Sequence, residues 1–349
     1  MKIALDAMGG DYAPQNIVAG AVLALREYPA ISKLFLVGDT AKIEAELSKH
    51  GCSDGRIKIV HTTQVVDMCD SGLDAVRRKK DSSVSRATDL VKSGEADAVV
   101  SAGHTGAAVA AATIKCRMLP GIDRPAIAAM MPTAVGSHFV LCDAGANPDP
   151  TPRQLVDNTI MALAYCEQVL GKKNPTAGLM SNGTEEYKGN QLTQATFELL
   201  KASGLPFKGN VEGHDLFDGA VDVVITDGFT GNVLLKSSEA LAKGIFRLLK
   251  TQILANPIRK LGAMLCKPAF LAVRELTSAD EYGGMPLLGV NGVSIIAHGG
   301  SSPVAIKNAL RNALETVGHQ LNPLLVQQVQ RYHDQHYQHA ASAHAHPSP

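Results

Sequence analysis

The chain has 349 residues, 45% of them hydrophobic and 19% charged, with 33 basic and 33 acidic side chains and no formal net charge. That balance suits a globular enzyme and lacks the basic excess of a nucleic-acid binder, while the absence of Trp and the 4% aromatic content argue against base-stacking platforms. No uncharged apolar run reaches the roughly 18 residues of a membrane span, Asp6 interrupts any signal-peptide core, and the six cysteines form no Cys-x-x-Cys pair, so reduced thiols and a cytoplasmic location are expected.

In chain order, "KIALDAMGGDYAPQNIVAGAVLAL" predicts a strand, a turn at Gly9–Gly10 and a helix with Pro14 in its first turn. "LFLVGDTAKIEAEL" repeats the pattern with Gly38 and an Asp39–Thr40 cap. Next comes a basic cluster, Arg77, Arg78, Lys79 and Lys80, whose alternative reading is a solvated helix face. "ADAVVSAGHTGAAVAAATI" places Gly103, His104, Thr105 and Gly106 between a strand and a helix. "AGLMSNGTEEYKGNQLTQATFELL" places Thr184 and Lys188 ahead of a helix that follows Asn190. In "VVITDGFTGNVLLKSSEALAKGIF", Asp227 ends an apolar run, Gly228 and Gly231 bracket Phe229 and Thr230, and Asn232 stands where a helix begins. "VSIIAHGGSSPVAIKNALRNAL" adds a turn at His298, Gly299 and Gly300.

Short β-rich runs alternating with glycine turns and helices predict an α/β fold, a mostly parallel doubly wound sheet with helices on both faces. In such sheets ligands bind at the carboxyl ends of the strands, so the glycine turns are expected to collect along one edge. Residues 1–330 read as a single α/β domain. Within it, 240–285 is a basic amphipathic helical extension: Ala240–Arg274 carries seven basic residues, Arg259, Lys260 and Lys267 among them, and no acidic one. It suits an anionic membrane surface, an acidic partner or a dimerisation hairpin. Residues 331–349 are rich in His and Ala and are expected to be a disordered tail.

There is no G-x-x-x-x-G-K-[ST], no G-x-G-x-x-G after the first strand, no G-x-S-x-G and no His/Cys/carboxylate cluster at metal spacing. Neither a metal nor a cofactor is expected. What remains is anion holding, because backbone N–H groups at helix starts and the positive end of the helix dipole attract phosphate.

Taken together, "LDAMGGDYAP", "AVRRKKDSS", "SAGHTGA", "GIDRPA", "DAGAN", "NGTEEYKGN", "TDGFTGN" and "AHGGSS" resemble the PlsX family of phosphate acyltransferases, in order from residue 2 to about residue 320. The chain departs from the family's usual pattern at His104, where Asn is usual, and at Asn182, directly before Gly183. The resemblance implies a three-layer α/β/α fold like those of phosphate acetyltransferases and isocitrate dehydrogenases. It also implies transfer of a fatty acyl group from acyl carrier protein to inorganic phosphate, a homodimer, and delivery of acyl phosphate towards phospholipid synthesis and a membrane acyltransferase.

On this reading Lys188 and Asn232 are the central pair. Gly103, His104, Thr105, Gly106, Thr184, Gly228, Thr230, Gly231, His298 and Gly299 form the cradle. Asp6, Gly9, Gly10 and Asp227 support the loops. Arg77, Arg78, Lys79, Lys80, Arg259, Lys260 and Lys267 offer a carrier-protein or membrane patch at the inner face. A nicotinamide-linked dehydrogenase of related fold and a non-catalytic binding module are the rival readings.

Overall fold

A computed structural model describes residues 1–67, 69–277 and 279–336. Its strands are β1 (Lys2–Asp6), β2 (Lys33–Gly38), β3 (Ile57–His61), β4 (Ala98–Ser101), β5 (Ala126–Pro132), β6 (His138–Cys142), β7 (Ala177–Met180), β8 (Phe207–Val211), β9 (Val223–Ile225), β10 (Met285–Leu288) and β11 (Val293–Ile296). Its helices are α1 (Gln15–Glu27), α2 (Thr40–Lys49), α3 (Gly72–Arg78), α4 (Ser83–Lys92), α5 (Thr105–Ala111), α6 (Pro152–Gln168), α7 (Gln191–Ala202), α8 (Gly213–Asp218), α9 (Gly228–Leu254), α10 (Pro257–Leu265), α11 (Lys267–Thr277), α12 (Ala279–Tyr282), α13 (Pro303–Gly318) and α14 (Leu321–His336). A π-helical turn, Ala112–Cys116, continues α5.

Each predicted strand–turn–helix unit is present, and the caps explain where the helices start. Asp39 accepts a hydrogen bond from the Lys42 N–H, Asn190 from Thr193 N–H and Ser302 from Ala305 N–H. The strands form one 11-stranded sheet in the order β3-β2-β1-β4-β11-β10-β5-β6-β9-β7-β8. Alternate residues of a strand point to opposite faces, and the core divides accordingly. Leu5 and Ile295 lie in one apolar cluster with α1 and α13, and Val140 of β6 in another with α6 and α14. Ala4, Val99, Leu141 and Ile296 face the other layer, which holds α4, α5 and α8. The result is a three-layer α/β/α sandwich.

The pairings correct one expectation. β10 runs antiparallel to both β11 and β5, and β5 antiparallel to β6. Hence β6, β9, β7 and β8 run opposite to β1, β2, β3, β4 and β11, and the glycine turns divide between the two edges of the sheet. Twist moderates the separation. Five steps lie between β4 and β9, and at about 20–25° per step the strand direction turns by roughly 100–125°. At that average twist the carboxyl ends of the two halves would point about 55–80° apart instead of 180°.

The extension is α9 beyond its first turns together with α10–α12. Pro257 begins α10, and Gly283–Gly284 lead from Tyr282 into β10, so Met285 belongs to the sheet. No residue of α10 is buried, and Ile258 and Leu265 are each 79% exposed, so this hairpin shows an apolar surface that the described residues do not cover.

The expected disordered tail starts too early. Residues 331–336 belong to α14, whose Leu321, Leu325, Val329 and Tyr332 are buried at helical spacing. His333 Nε2 lies 2.7 Å from Asp157 Oδ1 on α6. Residues 337–349 lie outside the described residues. Burial pushes the Asp157 carboxyl above its ordinary range, with His333 pulling it back. We expect His333→Ala to cost about 1–3 kcal/mol by leaving Asp157 short of a partner, seen as a lowered denaturation midpoint and faster amide exchange in α14.

Candidate active site

Three groups of loops carry the residues singled out from sequence. The first follows β1, β4 and β11. Asp6 ends β1, 2% exposed; its carboxylate accepts the Ser101 hydroxyl at 2.7 Å and the Met8 N–H at 3.2 Å, and Ser101 Oγ accepts the Gly103 N–H at 3.2 Å. Burial pushes the Asp6 carboxyl above its ordinary range, opposed by hydrogen bonds from Ser83, Ser101, Met8 and Gly9. Gly9 passes so near Gly103 that a Cβ on it would stand 2.8 Å from the Gly103 nitrogen. Asp11 N–H reaches Gly299 O at 2.8 Å, tying the Gly9–Gly10 loop to the turn after β11. Within that turn, His298 Nδ1 accepts the Gly300 N–H at 3.0 Å.

His104 caps α5, its Nδ1 accepting the Ala107 N–H at 3.2 Å, and Thr105 and Gly106 are exposed in the first turn. α3 packs on this turn, with Gly72 against the Gly106 backbone. The basic cluster is therefore beside the loop group but is not a uniform patch. Lys79 is half-buried and bonded to Asp70 (2.7 Å), Asp67 (3.2 Å) and the Val65 carbonyl (2.9 Å), which leaves Arg77, Arg78 and Lys80 exposed. The Lys79 hydrogen bond in turn holds the Asp70 carboxyl below its usual range.

The second group follows β6 and β9. Asp143, fully buried, accepts backbone N–H groups from Ile127 (2.9 Å), Gly145 (3.0 Å), Ala146 (2.9 Å) and Asn147 (2.7 Å). Burial pushes its carboxyl up, and these donors favour the charged form. α9 begins against this loop. Gly228 N–H donates to Asn147 O at 2.9 Å, and Gly231 sits where a methyl group would overlap the Asp143 carbonyl oxygen. We expect Gly231→Ala to push α9 off the loop, with a loss of about 1–3 kcal/mol and a larger loss of activity, measured by urea titration and turnover on the same preparation.

Here the structure corrects the expected anion cradle at α9. Asp227 caps the helix, accepting both the Thr230 N–H (2.8 Å) and the Thr230 hydroxyl (2.7 Å). A carboxylate already occupies the positive end of the helix. Gly228 and Gly231 are buried and Thr230 is committed to Asp227, so Asn232 is the polar side chain left over in this turn. Its half-buried carboxamide faces Gly145, on which a Cβ would stand 3.6 Å from Asn232 Cγ, and it has no hydrogen-bond partner among the described residues.

The third group follows β7, which pairs in parallel with β9, so that Leu179 lies level with Ile225 and Cys142. The Lys188 loop is thus the neighbour of the Asn232 turn. Asn182 Oδ1 accepts the Gly189 N–H at 2.9 Å, closing the loop. Lys188 is half-buried, its aliphatic stem crossing Gly183 and its ammonium 5.5 Å from the Tyr187 ring centroid. No carboxylate partner for it occurs among the described residues. Thr184 is exposed and lines a groove with Phe197, Lys201 and Lys208.

One apolar cluster connects the two halves: Ala107 and Ala108 of α5 and Ala144 of the Asp143 loop share it, with Ala146 and Leu234 packed against it. Asp143 and Asn147 were not assigned roles from sequence. The signal is present in "DAGAN", an Asp followed by small residues whose N–H groups can all turn towards its carboxylate.

Comparisons with known proteins agree over nearly the whole chain. A family model described as "Fatty acid synthesis protein" matches residues 1–323. The phosphate acyltransferase of Akkermansia muciniphila is 52% identical over 337 residues, covering 95% of this chain and 96% of that one. That of Geotalea daltonii is 48% identical over 330 residues, covering 95% and 94%. Among solved structures, a phosphotransacetylase from Streptococcus pyogenes superposes with a TM-score of 0.60 at 18% identity, covering 91% of this chain and 94% of that one. A branched-chain phosphotransacylase from Enterococcus faecalis gives 0.54 at 15%, covering 90% and 99%. At such identities these structures establish the fold alone. The curated relatives establish more: the chain belongs to the PlsX family of phosphate acyltransferases, enzymes of the fatty acid synthesis protein family.

Proposed function

We propose that this chain transfers a fatty acyl group from acyl-acyl carrier protein to inorganic phosphate, releasing acyl phosphate for phospholipid synthesis. The observation that carries the reading is the 52% identity with a phosphate acyltransferase across 95% of the chain. A phosphate oxygen attacks the thioester carbonyl carbon, and the tetrahedral oxyanion collapses with cleavage of the C–S bond. The carrier leaves as thiolate and takes a proton from solvent. Phosphate is already partly a dianion near neutral pH, so the enzyme needs to align two reactants and stabilise the oxyanion; alignment alone supplies roughly 7–11 kcal/mol.

Lys188 and Asn232 suit those tasks, one an ammonium and the other a carboxamide, neither with a hydrogen-bond or ion-pair partner among the described residues, Lys188 resting over the Tyr187 ring. With the Gly103 and Gly300 N–H groups committed to Ser101 and His298, the Thr105, Gly106 and Gly299 N–H groups are the backbone donors for phosphate, with Asp6 and Asp143 as positioning residues. Arg77, Arg78 and Lys80 form an exposed basic group beside α5 for an acidic carrier protein, worth mainly encounter rate and weakened by salt. The apolar hairpin with Arg259, Lys260 and Lys267 suits a second copy of the chain, with contact at the inner membrane face as its further use. None of the described helices is long and apolar enough to cross a membrane, so delivery to a membrane acyltransferase would take place at the surface.

The test is incubation of purified protein with acyl-acyl carrier protein and labelled phosphate, with acyl-coenzyme A in parallel. Acyl phosphate from the carrier protein supports the proposal. Product from coenzyme A alone would change the donor, and no product from either would leave a binding module.

A further inference from the structure

A cavity of about 540 Å³ lies away from all three loop groups, lined in part by Lys92, Ser93, Lys115, Cys116, Arg117 and Asn291. It opens at the amino ends of β4 and β11, since Gly94 precedes one strand and Asn291 the other. The Gly103 and His298 turns stand at the opposite ends of those strands, about 13 Å away at 3.3 Å per residue. The Asp143 loop is three strand steps along the sheet, about 14 Å.

Two backbone features converge on this cavity. Its wall is the π-helical turn Ala112–Cys116, a rare element that recurs at functional sites. The next residue, Arg117, has φ 67° and ψ 175°, a conformation essentially reserved for glycine. It is held there by its surroundings: Asn291 N–H donates to the Arg117 carbonyl at 2.8 Å, Leu119 N–H donates to Gly289 O at 2.9 Å, and Met118 bridges Val290. A glycine would meet every one of these constraints with less strain, and the chain has an arginine instead.

The lining charge supplies a reason. Lys115 is paired with Asp89 at 2.8 Å. Lys92 and Arg117 are exposed, and neither has a carboxylate partner among the described residues. Cations at the last turns of α4 and the π-turn also answer helix carbonyls, which accounts for Lys92 and Lys115 in part. It does not account for the backbone of Arg117, the residue that ends the π-turn, which holds a strained conformation there. The volume is that of a small-molecule site. Ser93 Oγ donates to the Leu90 carbonyl at 3.1 Å and to Glu95 Oε1 at 3.3 Å, which leaves Asn291 as the neutral lining side chain. We propose that this pocket binds a small polyanion of the diphosphate type, gripped between Arg117 and Lys92 with Asn291 as a neutral hydrogen-bonding partner.

Isothermal titration calorimetry of the full chain with inorganic pyrophosphate tests this. A saturable, salt-sensitive component is expected that is weakened at least tenfold by Arg117→Gly and by Lys92→Gln, and retained in Lys188→Ala, which removes only binding at the candidate active site. Arg117→Gly should melt no lower than the parent, because the side chain is lost while the backbone strain is relieved. Absence of saturable binding, or binding undiminished in Arg117→Gly and Lys92→Gln, overturns the proposal. So does loss of binding in Lys188→Ala alone, which would put the anion in the candidate active site. An Arg117→Gly protein that unfolds overturns the strain argument, and Lys92→Gln then decides the site.

Discussion

Lys188→Ala is expected to lower kcat/KM by about 10²–10³-fold, the loss typical of one removed oxyanion donor, while leaving the melting temperature close to that of the parent. The stability expectation follows from surroundings: among the described residues the ammonium has no ion-pair partner, and the side chain's contacts are the stem across Gly183 and the exposed Tyr187 ring. How the loss divides is informative. If the ammonium mainly holds ground-state phosphate, KM for phosphate rises and kcat changes little. If it meets charge developed in the transition state, kcat falls. Asn232→Ala, measured in the same way, tests the second member of the pair. Unchanged turnover and unchanged phosphate dependence in Lys188→Ala would remove that lysine from the site.

Asp143→Ala carries the largest expected cost in stability. Its carboxylate is the acceptor for four backbone N–H groups, and one of them, Ile127 N–H, is fully buried. Each orphaned buried donor costs about 1–3 kcal/mol. The three loop donors can turn partly to water, so a total of about 3–5 kcal/mol is expected from a urea titration. Asp143→Asn should not rescue, because it keeps one acceptor oxygen and turns an NH₂ group towards other donors. The Asp143 backbone also carries the contact with Gly231, so both variants should lose activity along with stability. A wild-type midpoint in either variant would contradict this account of the loop.

The local units were readable because their signals are local. Strand, glycine turn and capped helix lie within some twenty residues of one another in each case, as in "LFLVGDTAKIEAEL". The reversal of strand direction was not readable, because "MPLL" and "AIAAMMP" are short apolar runs that contain no information about direction. Only the pairing of β10 with both β11 and β5 sets it. At α9 the signal was present: Asp227 three residues before Thr230 is a capping pattern, and it competes with a phosphate for the same helix end. Lys79 gave no such warning, since its partners Asp67 and Asp70 come from a preceding loop. In the tail, a His-rich composition obscured the helical stripe that ends at Tyr332.

α9 is a single rod of 27 residues, about 40 Å at 1.5 Å per residue. One end is wedged at Gly231 against Asp143, and the other carries the uncovered apolar hairpin. Such an arrangement has a fulcrum at the loop end. A tilt of about 5° there leaves Asn232 almost stationary and sweeps the hairpin by about 3 Å. Were the rod to tilt about that point, the surface meeting the hairpin would shift in height and angle while the carboxamide kept its register.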